Sequence, residues 1–245
     1  MNAQEQGQRA TEGAGSAFQN VSFPSAGTTA HGYLAVPPAG HGPGVIVIQE
    51  WWGLTAHIKD IADRLAREGF VALAPDLFGG RVAHDSGEAV RMMGELPTVR
   101  AVGLLSGAVD YLLARPETDG DTIGTVGFCM GGGFVLSLAA QDQRISAAVP
   151  FYGVNRDGIP DFSRLTAHVL GHYGGQDDTV PPSSLGELRT AIESQSGSTP
   201  VLHLYPDAGH AFFNDTRPEA YHAESAALAW QRTTDFLRSR LGTSA

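Results

Sequence analysis

The sequence predicts an α/β fold, in which a mostly parallel sheet carries helices on both of its faces. Short apolar runs, such as the β-branched stretch Val45 to Ile48, are typical of parallel strands buried on both sides. These runs alternate with longer segments whose apolar residues recur every three or four positions, which indicates βαβ units. A chain of 245 residues, 42% of them hydrophobic, can bury one such core.

The first elements are expected at the edge of this sheet. Residues 1–16 are polar and rich in Gly, Gln and Ala, so we expect a disordered tail ahead of a single domain spanning 17–245. Val21 to Phe23 and Tyr33 to Val36 are predicted as two short strands, joined by a turn at Ser25 to Gly27. We expect the pair to be antiparallel.

The elements after the central strand Val45 to Ile48 alternate between helix and strand. Apolar residues at helical spacing predict a helix through Ile58 to Leu65, which Gly69 would end. A buried strand at Phe70 to Ala74 and a second helix through Leu104 to Leu112 follow. The later elements comprise a turn, four strands and two helices: the turn at 118–121, strands at 122–126, 147–151, 167–171 and 201–205, and helices at 134–140 and 226–241.

Charge and composition exclude several classes of partner. The net charge of −10 and the pI near 5.2 argue against nucleic acid and anionic membranes, so we expect a small-molecule substrate. No apolar stretch approaches the ~20 residues that span a bilayer, and a single cysteine excludes an internal disulfide and suits the cytoplasm. His168 and His172 have ligand-like spacing but no third ligand nearby, so we assign no metal and no cofactor, and we expect a monomer.

The single cysteine, Cys129, lies at the centre of a Gly-x-nucleophile-x-Gly pentapeptide, Gly127 to Gly131. This motif follows a predicted strand and precedes a predicted helix, a context that forms a sharp turn and exposes the central side chain. The alternative is a buried structural cysteine, which is the usual role of a lone thiol. The motif and its flanks agree, so we interpret Cys129 as a nucleophile.

A base and an acid follow Cys129 in the chain at two later strand ends. Asp177 and Asp178 follow the strand at 167–171, and His210 follows the last strand, so all are expected at the carboxyl edge of the sheet. The order nucleophile, acid, histidine is that of the α/β-hydrolases. Either aspartate could be the acid or a turn-capping residue.

The same edge supplies candidate donors for an oxyanion. The backbone amide of Met130, directly after the nucleophile, is one candidate, and the amide of Trp51, in the loop after the Val45 strand, is the other. Glu50 lies in that loop. It is either a surface acid or a partner of the resting thiol that controls when the thiolate forms.

Taken together, these motifs resemble the dienelactone hydrolase family, the carboxymethylenebutenolidases, over nearly all of the chain from Tyr33 to Leu241. The resemblance implies an α/β-hydrolase fold, with Cys129 as nucleophile, Asp177 as acid and His210 as base. The residues that carry the resemblance lie in five segments: Gln49 to Gly53, Ala72 to Phe78, Gly127 to Gly132, Gly174 to Pro181 and Gly209 to Phe212.

The resemblance also implies a reaction and a substrate pocket. The reaction is hydrolysis of a dienelactone to maleylacetate through an acyl-enzyme, a step in the degradation of chlorinated aromatics. Glu50 would partner the resting thiol, and Tyr152 would line the pocket. Some members bind the substrate carboxylate with two arginines: Arg81 matches one, whereas Asn214 stands near the place of the other, with Arg217 as the nearest arginine.

Two alternatives remain open at this point. The first is a carboxylesterase of broader range, because Asn214 departs from the arginine pattern. The second is a non-catalytic protein that uses Cys129 as a redox-sensitive or binding thiol. The second alternative gives no reason for Asp177 and His210 at their positions.

Overall fold

A computed structural model describes residues 18–242, so the expected tail at 1–16 lies outside the described residues. The described chain forms eight strands and six helices. The strands are β1 (Val21–Ser25), β2 (Thr28–Ala35), β3 (Gly42–Ile48), β4 (Val71–Pro75), β5 (Thr118–Phe128), β6 (Ile145–Phe151), β7 (His168–Gly174) and β8 (Val201–Tyr205). The helices are α1 (Ala56–Arg67), α2 (Ser86–Gly94), α3 (Thr98–Leu113), α4 (Met130–Gln141), α5 (Ser184–Ser196) and α6 (Ala223–Leu241).

All eight strands belong to one sheet, with the order β1-β2-β4-β3-β5-β6-β7-β8. β1 pairs antiparallel with β2, β2 pairs antiparallel with β4, and every other neighbouring pair is parallel. This arrangement is the α/β-hydrolase fold. It confirms the predicted fold class, the antiparallel edge and the central position of β3.

Both faces of the sheet are covered by apolar packing. In β3, Ile46 and Ile48 pack on the face with α3 and α4, whereas Val45 and Val47 pack on the face with α1 and α6. All four side chains are fully buried. The pleat of the strand explains the division, because successive side chains point to opposite faces.

The predicted turn at Thr118 to Asp121 is wrong. These residues form the beginning of β5, where Thr118 and Asp119 pair with Gly42 and Pro43. The ladder is irregular beyond Pro43, and Gly120 has a φ of 84°. The segment has turn-like residues, but the first residues of β3 supply partners that local sequence does not reveal.

Helices α2 and α5 were not predicted from the sequence. α2 buries only Ala89 and Met92, and α5 buries only Leu188 and Ile192. Two buried residues per helix are too few to produce a clear helical period. Helices that bury few residues are therefore the elements that the periodicity misses.

Among the described residues, no single helix is both long and apolar enough to cross a membrane. α2 and α3 meet the criteria of length and composition only as a pair, and the chain bends by 83° between them.

The topology brings the candidate residues to one edge of the sheet. Each follows the carboxyl end of a different parallel strand: Glu50 after β3, Cys129 after β5, Tyr152 after β6, Asp177 after β7 and His210 after β8. The crevice outside these strand ends is where ligands of open α/β sheets bind.

Candidate active site

Cys129 occupies a strained turn between β5 and α4. Its φ is 54° and its ψ is −116°, in a region that residues other than glycine rarely adopt. Glycines make the turn possible, because a Cβ on Gly127 would lie 2.3 Å from the Gly131 carbonyl oxygen. A Cβ on Gly153 would lie 2.1 Å from the carbonyl oxygen of Cys129. The turn holds the thiol at the start of α4, partly accessible to solvent.

The three residues predicted as nucleophile, base and acid form one chain of hydrogen bonds. His210 Nε2 lies 3.2 Å from Cys129 Sγ, and His210 Nδ1 lies 2.8 Å from Asp177 Oδ2. Asp177 as a residue is 2% exposed. Its other oxygen, Oδ1, accepts from the backbone amides of Thr179 and Val180 at 2.8 Å each. The imidazole is therefore oriented by a carboxylate that its own turn holds in place.

The surroundings of His210 favour its protonated form. Burial disfavours the imidazolium, but the hydrogen bonds to Asp177 and Cys129 outweigh burial and raise the pKa of His210 to about 10. The ring also contacts the edge of Tyr152, with centroids 5.2 Å apart. In the protonated ring, the two N–H groups face the Asp177 carboxylate and the sulfur of Cys129.

Glu50 is a second buried carboxyl group at this edge, with an exposed fraction of 3%. Its Oε2 accepts from Asn214 Nδ2 at 2.8 Å, and its Oε1 accepts from the Tyr152 hydroxyl at 3.4 Å. Burial raises the pKa of Glu50, although His57 and the Asn214 amide counteract the rise. The expected hydrogen bond between Glu50 and the resting thiol is not observed, because Cys129 Sγ faces His210 Nε2 instead.

Tyr152 lies between Glu50 and His210. It is fully buried, has a φ of 37°, and its amide donates to the His172 carbonyl at 2.7 Å. Burial and the nearby charges of Glu50 and Cys129 raise the pKa of Tyr152 well above its ordinary value. The hydroxyl therefore stays protonated and acts as a donor.

The candidate oxyanion donors lie at the junction of α4 with the loop after β3. Met130 is the first residue of α4, where backbone N–H groups have no partner within the helix. The next residue, Gly131, packs on the end of β3: a Cβ there would lie 2.4 Å from the Ile48 oxygen and 2.6 Å from the Gln49 oxygen. This close approach brings the helix start beside the loop that carries Trp51.

A cavity of about 260 Å³ opens in front of Cys129 and His210. Its walls are mostly apolar and include Met130, Phe134, Tyr152 and Val180. The size fits a small molecule, and the walls suit an apolar body.

The structure does not bring Arg81 or Asn214 to this cavity. Arg81 is half-exposed and pairs with Glu95 at 2.8 Å. The Asn214 amide donates to Glu50, and its oxygen accepts from the backbone and hydroxyl of Thr216. Both side chains are engaged elsewhere.

Arg156 lines the cavity and was missed from the sequence. No other lysine or arginine lines it among the described residues. Arg156 is half-exposed, and its Nη1 donates to the carbonyl of Met93 at 3.1 Å. Its place in the loop after β6, a few residues beyond Tyr152, is the signal that could have identified it.

The two histidines with ligand-like spacing do not form a metal site within the part of the chain that the structure describes. His172 is buried, with Nδ1 2.8 Å from the Tyr205 hydroxyl and Nε2 3.0 Å from the Thr233 hydroxyl. Burial lowers the pKa of His172 well below its ordinary value. Both of its nitrogens are thus used inside the core.

Comparisons with known proteins identify the family of this chain. The sequence pattern of the dienelactone hydrolase family matches residues 30–241. The curated relatives include "Putative carboxymethylenebutenolidase" of Escherichia coli (strain K12), which is 34% identical over 233 residues, 89% of this chain and 85% of the relative.

Solved structures give the same result. "Putative Dienelactone Hydrolase" from Klebsiella pneumoniae subsp. pneumoniae MGH 78578 has a TM-score of 0.80 and 33% identity, covering 88% of this chain and 95% of that one. "Dienelactone Hydrolase-like Promiscuous Phospotriesterase P91", from metagenomic libraries, has a TM-score of 0.81 and 25% identity, covering 91% and 97%. The protein therefore belongs to the dienelactone hydrolase family and is a hydrolase of esters or lactones.

Proposed function

We propose that this enzyme hydrolyses small lactones or esters through an acyl-enzyme on Cys129. The observation that carries the proposal is the hydrogen-bonded chain from Asp177 through His210 to the thiol, at the wall of a small cavity. A nucleophile, a base within hydrogen-bond reach and a third group that orients the base are the parts that nucleophilic acyl transfer requires. Family membership supports the same chemistry.

In the first half of the reaction, the thiolate of Cys129 attacks the carbonyl carbon. A sulfur–carbon bond forms and the carbonyl electron pair moves to oxygen, where the amides of Met130 and Trp51 are proposed to stabilise the negative charge. The intermediate then collapses, the ester carbon–oxygen bond breaks, and His210 gives its Nε2 proton to the leaving oxygen. For a lactone, the leaving oxygen stays attached to the acyl group.

In the second half, neutral His210 takes a proton from water as the water oxygen attacks the thioester carbon. The tetrahedral intermediate collapses, the sulfur–carbon bond breaks, and the acid product leaves with the thiolate restored. Asp177 keeps Nδ1 of His210 protonated throughout, so Nε2 faces the reacting atoms.

Glu50 is proposed to control the charge of the thiol from the other side of Tyr152. The pKa of Glu50 is raised, and its hydrogen bonds come from the side chains of Tyr152 and Asn214. Both features suit a group whose charge changes with the state of the site. A negative charge on Glu50 disfavours a thiolate nearby, so a neutral or displaced carboxyl favours the reactive form.

The substrate implied by the family resemblance is a dienelactone, hydrolysed to maleylacetate during the degradation of chlorinated aromatics. Its carboxylate needs a cation, and Arg156 is the arginine of the cavity, whereas Arg81 is paired with Glu95. We expect Arg156→Gln to raise KM for a dienelactone by on the order of tenfold, through loss of a charge-assisted hydrogen bond, with little effect on p-nitrophenyl acetate. Arg81→Gln is the matched control and should leave both KM values unchanged. A raised KM for the dienelactone in Arg81→Gln, with an unchanged one in Arg156→Gln, would assign the substrate carboxylate to Arg81.

The cavity also suits the alternative function, a carboxylesterase of broader substrate range. Its walls are mostly apolar, so neutral esters of similar size can enter. One structural relative is described as promiscuous. Activity on p-nitrophenyl acetate without activity on a dienelactone would select this alternative.

The nucleophile assignment is tested with Cys129→Ala and His210→Ala. Both variants should lose hydrolysis of a dienelactone and of p-nitrophenyl acetate, and the wild type should carry an acyl group on Cys129 when quenched during turnover and measured by intact-mass spectrometry. Hydrolysis that survives in Cys129→Ala would overturn the proposal. An enzyme with a reactive thiol but no hydrolysis of any ester or lactone in a broad panel would be the non-catalytic thiol protein.

We also propose the cytoplasm as the location and the monomer as the working state. The single cysteine is free and partly accessible, which suits a reducing compartment. Fractionation of cells and light scattering of the purified protein test the two statements directly.

A further inference from the structure

Two polar side chains, Ser137 and Asn155, join α4 to the loop after β6 and take no part in the proposed reaction. Ser137 is 1% exposed in α4, where the other buried residues are glycine or apolar. Its hydroxyl donates to the Gly133 carbonyl at 3.1 Å and accepts from Asn155 Nδ2 at 2.6 Å. A buried polar group costs free energy unless it is hydrogen-bonded. Asn155 is therefore the partner outside the helix that accounts for a serine at this buried position.

Asn155 also shapes the turn that carries Arg156. The Asn155 Oδ1 atom accepts from the amide of Asp157 at 2.9 Å, and the Asn155 carbonyl accepts from the amide of Gly158 at 3.3 Å. An asparagine that bonds the backbone two residues further on fixes the shape of a turn. Arg156 is the second residue of this turn, so the path of its backbone depends on Asn155.

The guanidinium end of Arg156 is held separately. Its Nη1 donates to the carbonyl of Met93 at 3.1 Å, near the C-terminus of α2, where the partial negative charge of a helix end favours a cation. This contact uses one of the five N–H donors of a guanidinium. Arg156 is thus held at its backbone through Asn155 and at its tip through Met93, and donors remain for a substrate carboxylate.

The neighbouring acid, Asp157, does not close an ion pair with Arg156. Asp157 Oδ1 lies 3.9 Å from Arg156 Nε, which is too long for a hydrogen bond. The hydroxyl of Thr98, on α3, donates to Asp157 Oδ2. Arg81, by contrast, has the carboxylate of Glu95 at 2.8 Å. Arg156 therefore keeps more of its charge for a ligand than Arg81 does.

The anchor of this turn lies on the helix that starts at the nucleophile. α4 begins at Met130, directly after Cys129, and Ser137 follows about two turns further along. The loop also packs closely on the helix, since a Cβ on Gly133 would lie 2.6 Å from the Val154 carbonyl oxygen. One rigid element therefore carries both the turn of Cys129 and the acceptor for Asn155.

We infer that Asn155 and Ser137 position Arg156 relative to Cys129 and thereby set the preference of this enzyme for substrates that carry a carboxylate. Arg156 would contact the substrate, whereas Asn155 and Ser137 act through it. A carboxylate paired with Arg156 would then place the ester carbonyl at a constant distance from the thiol. The inference rests on the proposed function, from which it takes the reaction at Cys129 and the role of Arg156.

The test compares two esters with acyl chains of equal length, mono-p-nitrophenyl succinate, which ends in a carboxylate, and p-nitrophenyl butyrate, which is neutral. The measured quantity is the carboxylate preference, defined as kcat/KM for the succinate ester divided by kcat/KM for the butyrate ester. Arg156→Gln should lower this preference by on the order of tenfold, because a charge-assisted hydrogen bond is lost.

Asn155→Ala and Ser137→Ala should each lower the preference by on the order of threefold, because the cation is still present but is held less firmly. The change should appear in KM for the succinate ester, with kcat for the butyrate ester unchanged. Asn155→Ala in the Arg156→Gln background should lower the preference no further, since no guanidinium remains to be positioned. A further drop in that double variant would overturn the inference.

Thr234→Val is the matched control for Ser137→Ala. Thr234 is also a buried helical residue, 4% exposed, and its hydroxyl donates to the Gln231 carbonyl within α6. This variant should keep the wild-type preference. A drop in Thr234→Val equal to that in Ser137→Ala would overturn the inference, because loss of any buried hydroxyl would then suffice.

The remaining outcomes separate the inference from the proposed function. A lowered preference in Arg156→Gln alone, with wild-type values in Asn155→Ala and Ser137→Ala, overturns the inference and keeps the role of Arg156. An equal loss on both esters in Asn155→Ala and Ser137→Ala also overturns it. Alanine is a good helix former, so Ser137→Ala decides the question even where Asn155→Ala folds poorly. An unchanged preference in Arg156→Gln overturns the role of Arg156 and the inference together, and a wild type that hydrolyses neither ester overturns the proposed function itself.

Discussion

Two buried carboxyl groups lie at the edge of the sheet near Cys129, and they are held in different ways. Asp177 accepts three hydrogen bonds, two from backbone amides of its own turn and one from His210. Glu50 accepts from two side chains, Asn214 at 2.8 Å and Tyr152 at a longer 3.4 Å. Backbone amides hold the first together with His210, whereas side chains hold the second.

This difference separates two tasks that the same functional group can perform. Backbone amides cannot rotate away, so Asp177 is suited to fix the ring of His210 in one orientation. The pKa of Glu50 is raised by burial and the hydrogen bonds to its carboxylate come from side chains, so it is suited to a change of charge. Four predictions test this division, beginning with the largest effect.

Asp177→Asn should lower kcat for p-nitrophenyl acetate by on the order of 10³-fold, because an amide no longer fixes the productive tautomer of His210. Asp178→Asn is the matched control, since Asp178 is adjacent and exposed, and it should be close to wild type. Steady-state kinetics of the two variants checks this. A large loss in Asp178→Asn with a small one in Asp177→Asn would assign the acid to the other residue.

The proton on His210 should make stability depend on pH. Its pKa is raised to about 10 in the folded protein, whereas an unperturbed histidine titrates near ~6.5. The folded state binds this proton more tightly, so the added stability is complete below pH ~6.5 and is lost as pH rises towards about 10.

Urea unfolding of the wild type and of His210→Gln across this pH range measures the effect. The free energy of unfolding of the wild type should fall relative to the variant as pH rises. A difference that stays constant with pH, or grows, would contradict the proposed pairing of His210 with Asp177 and Cys129.

Glu50→Gln should speed alkylation of Cys129 by iodoacetamide near neutral pH several-fold, because removing a nearby negative charge favours the thiolate. Glu187→Gln, an exposed change on α5, should leave the rate unchanged. Mass spectrometry of samples quenched at successive times gives the alkylation rate of the single thiol in each variant. Unchanged or slower alkylation in Glu50→Gln would exclude the control of the thiol by Glu50.

Tyr152→Phe should have the smallest effect. The lost hydrogen bond to Glu50 is 3.4 Å long, so the alkylation rate should change less than ~2-fold and the free energy of unfolding by less than ~1 kcal/mol. The same alkylation assay and urea unfolding measure both quantities. An effect as large as that of Glu50→Gln would show that Tyr152, not Asn214, sets the state of Glu50.

Much of the fold could be predicted because its core strands are locally apolar. Val45 to Ile48 is buried on both faces, and its β-branched run predicts the central strand without tertiary information. The surface helices α2 and α5 bury too few residues to predict. The start of β5 was misjudged at Thr118 because its pairing partner, Gly42, is 76 positions away in sequence.

The candidate site was predictable to the extent that strand ends determine it. Cys129, Asp177 and His210 follow three parallel strands, so their meeting at one edge could be expected from the sequence. Which arginine lines the cavity could not be predicted in this way. Arg81 and Arg156 are both loop arginines, and only packing shows that one pairs with Glu95 while the other lines the cavity.

By itself, the sequence determined the fold class, the sharp turn at Cys129 and the chain order of Cys129, Asp177 and His210, because these depend on local pattern and on parallel topology. Only the tertiary structure decided the partners of Glu50 and which arginine lines the cavity at Cys129. Hydrogen-bond partners distant in sequence, such as Asn214 for Glu50, are selected by distance and burial in the folded chain. No local pattern records them.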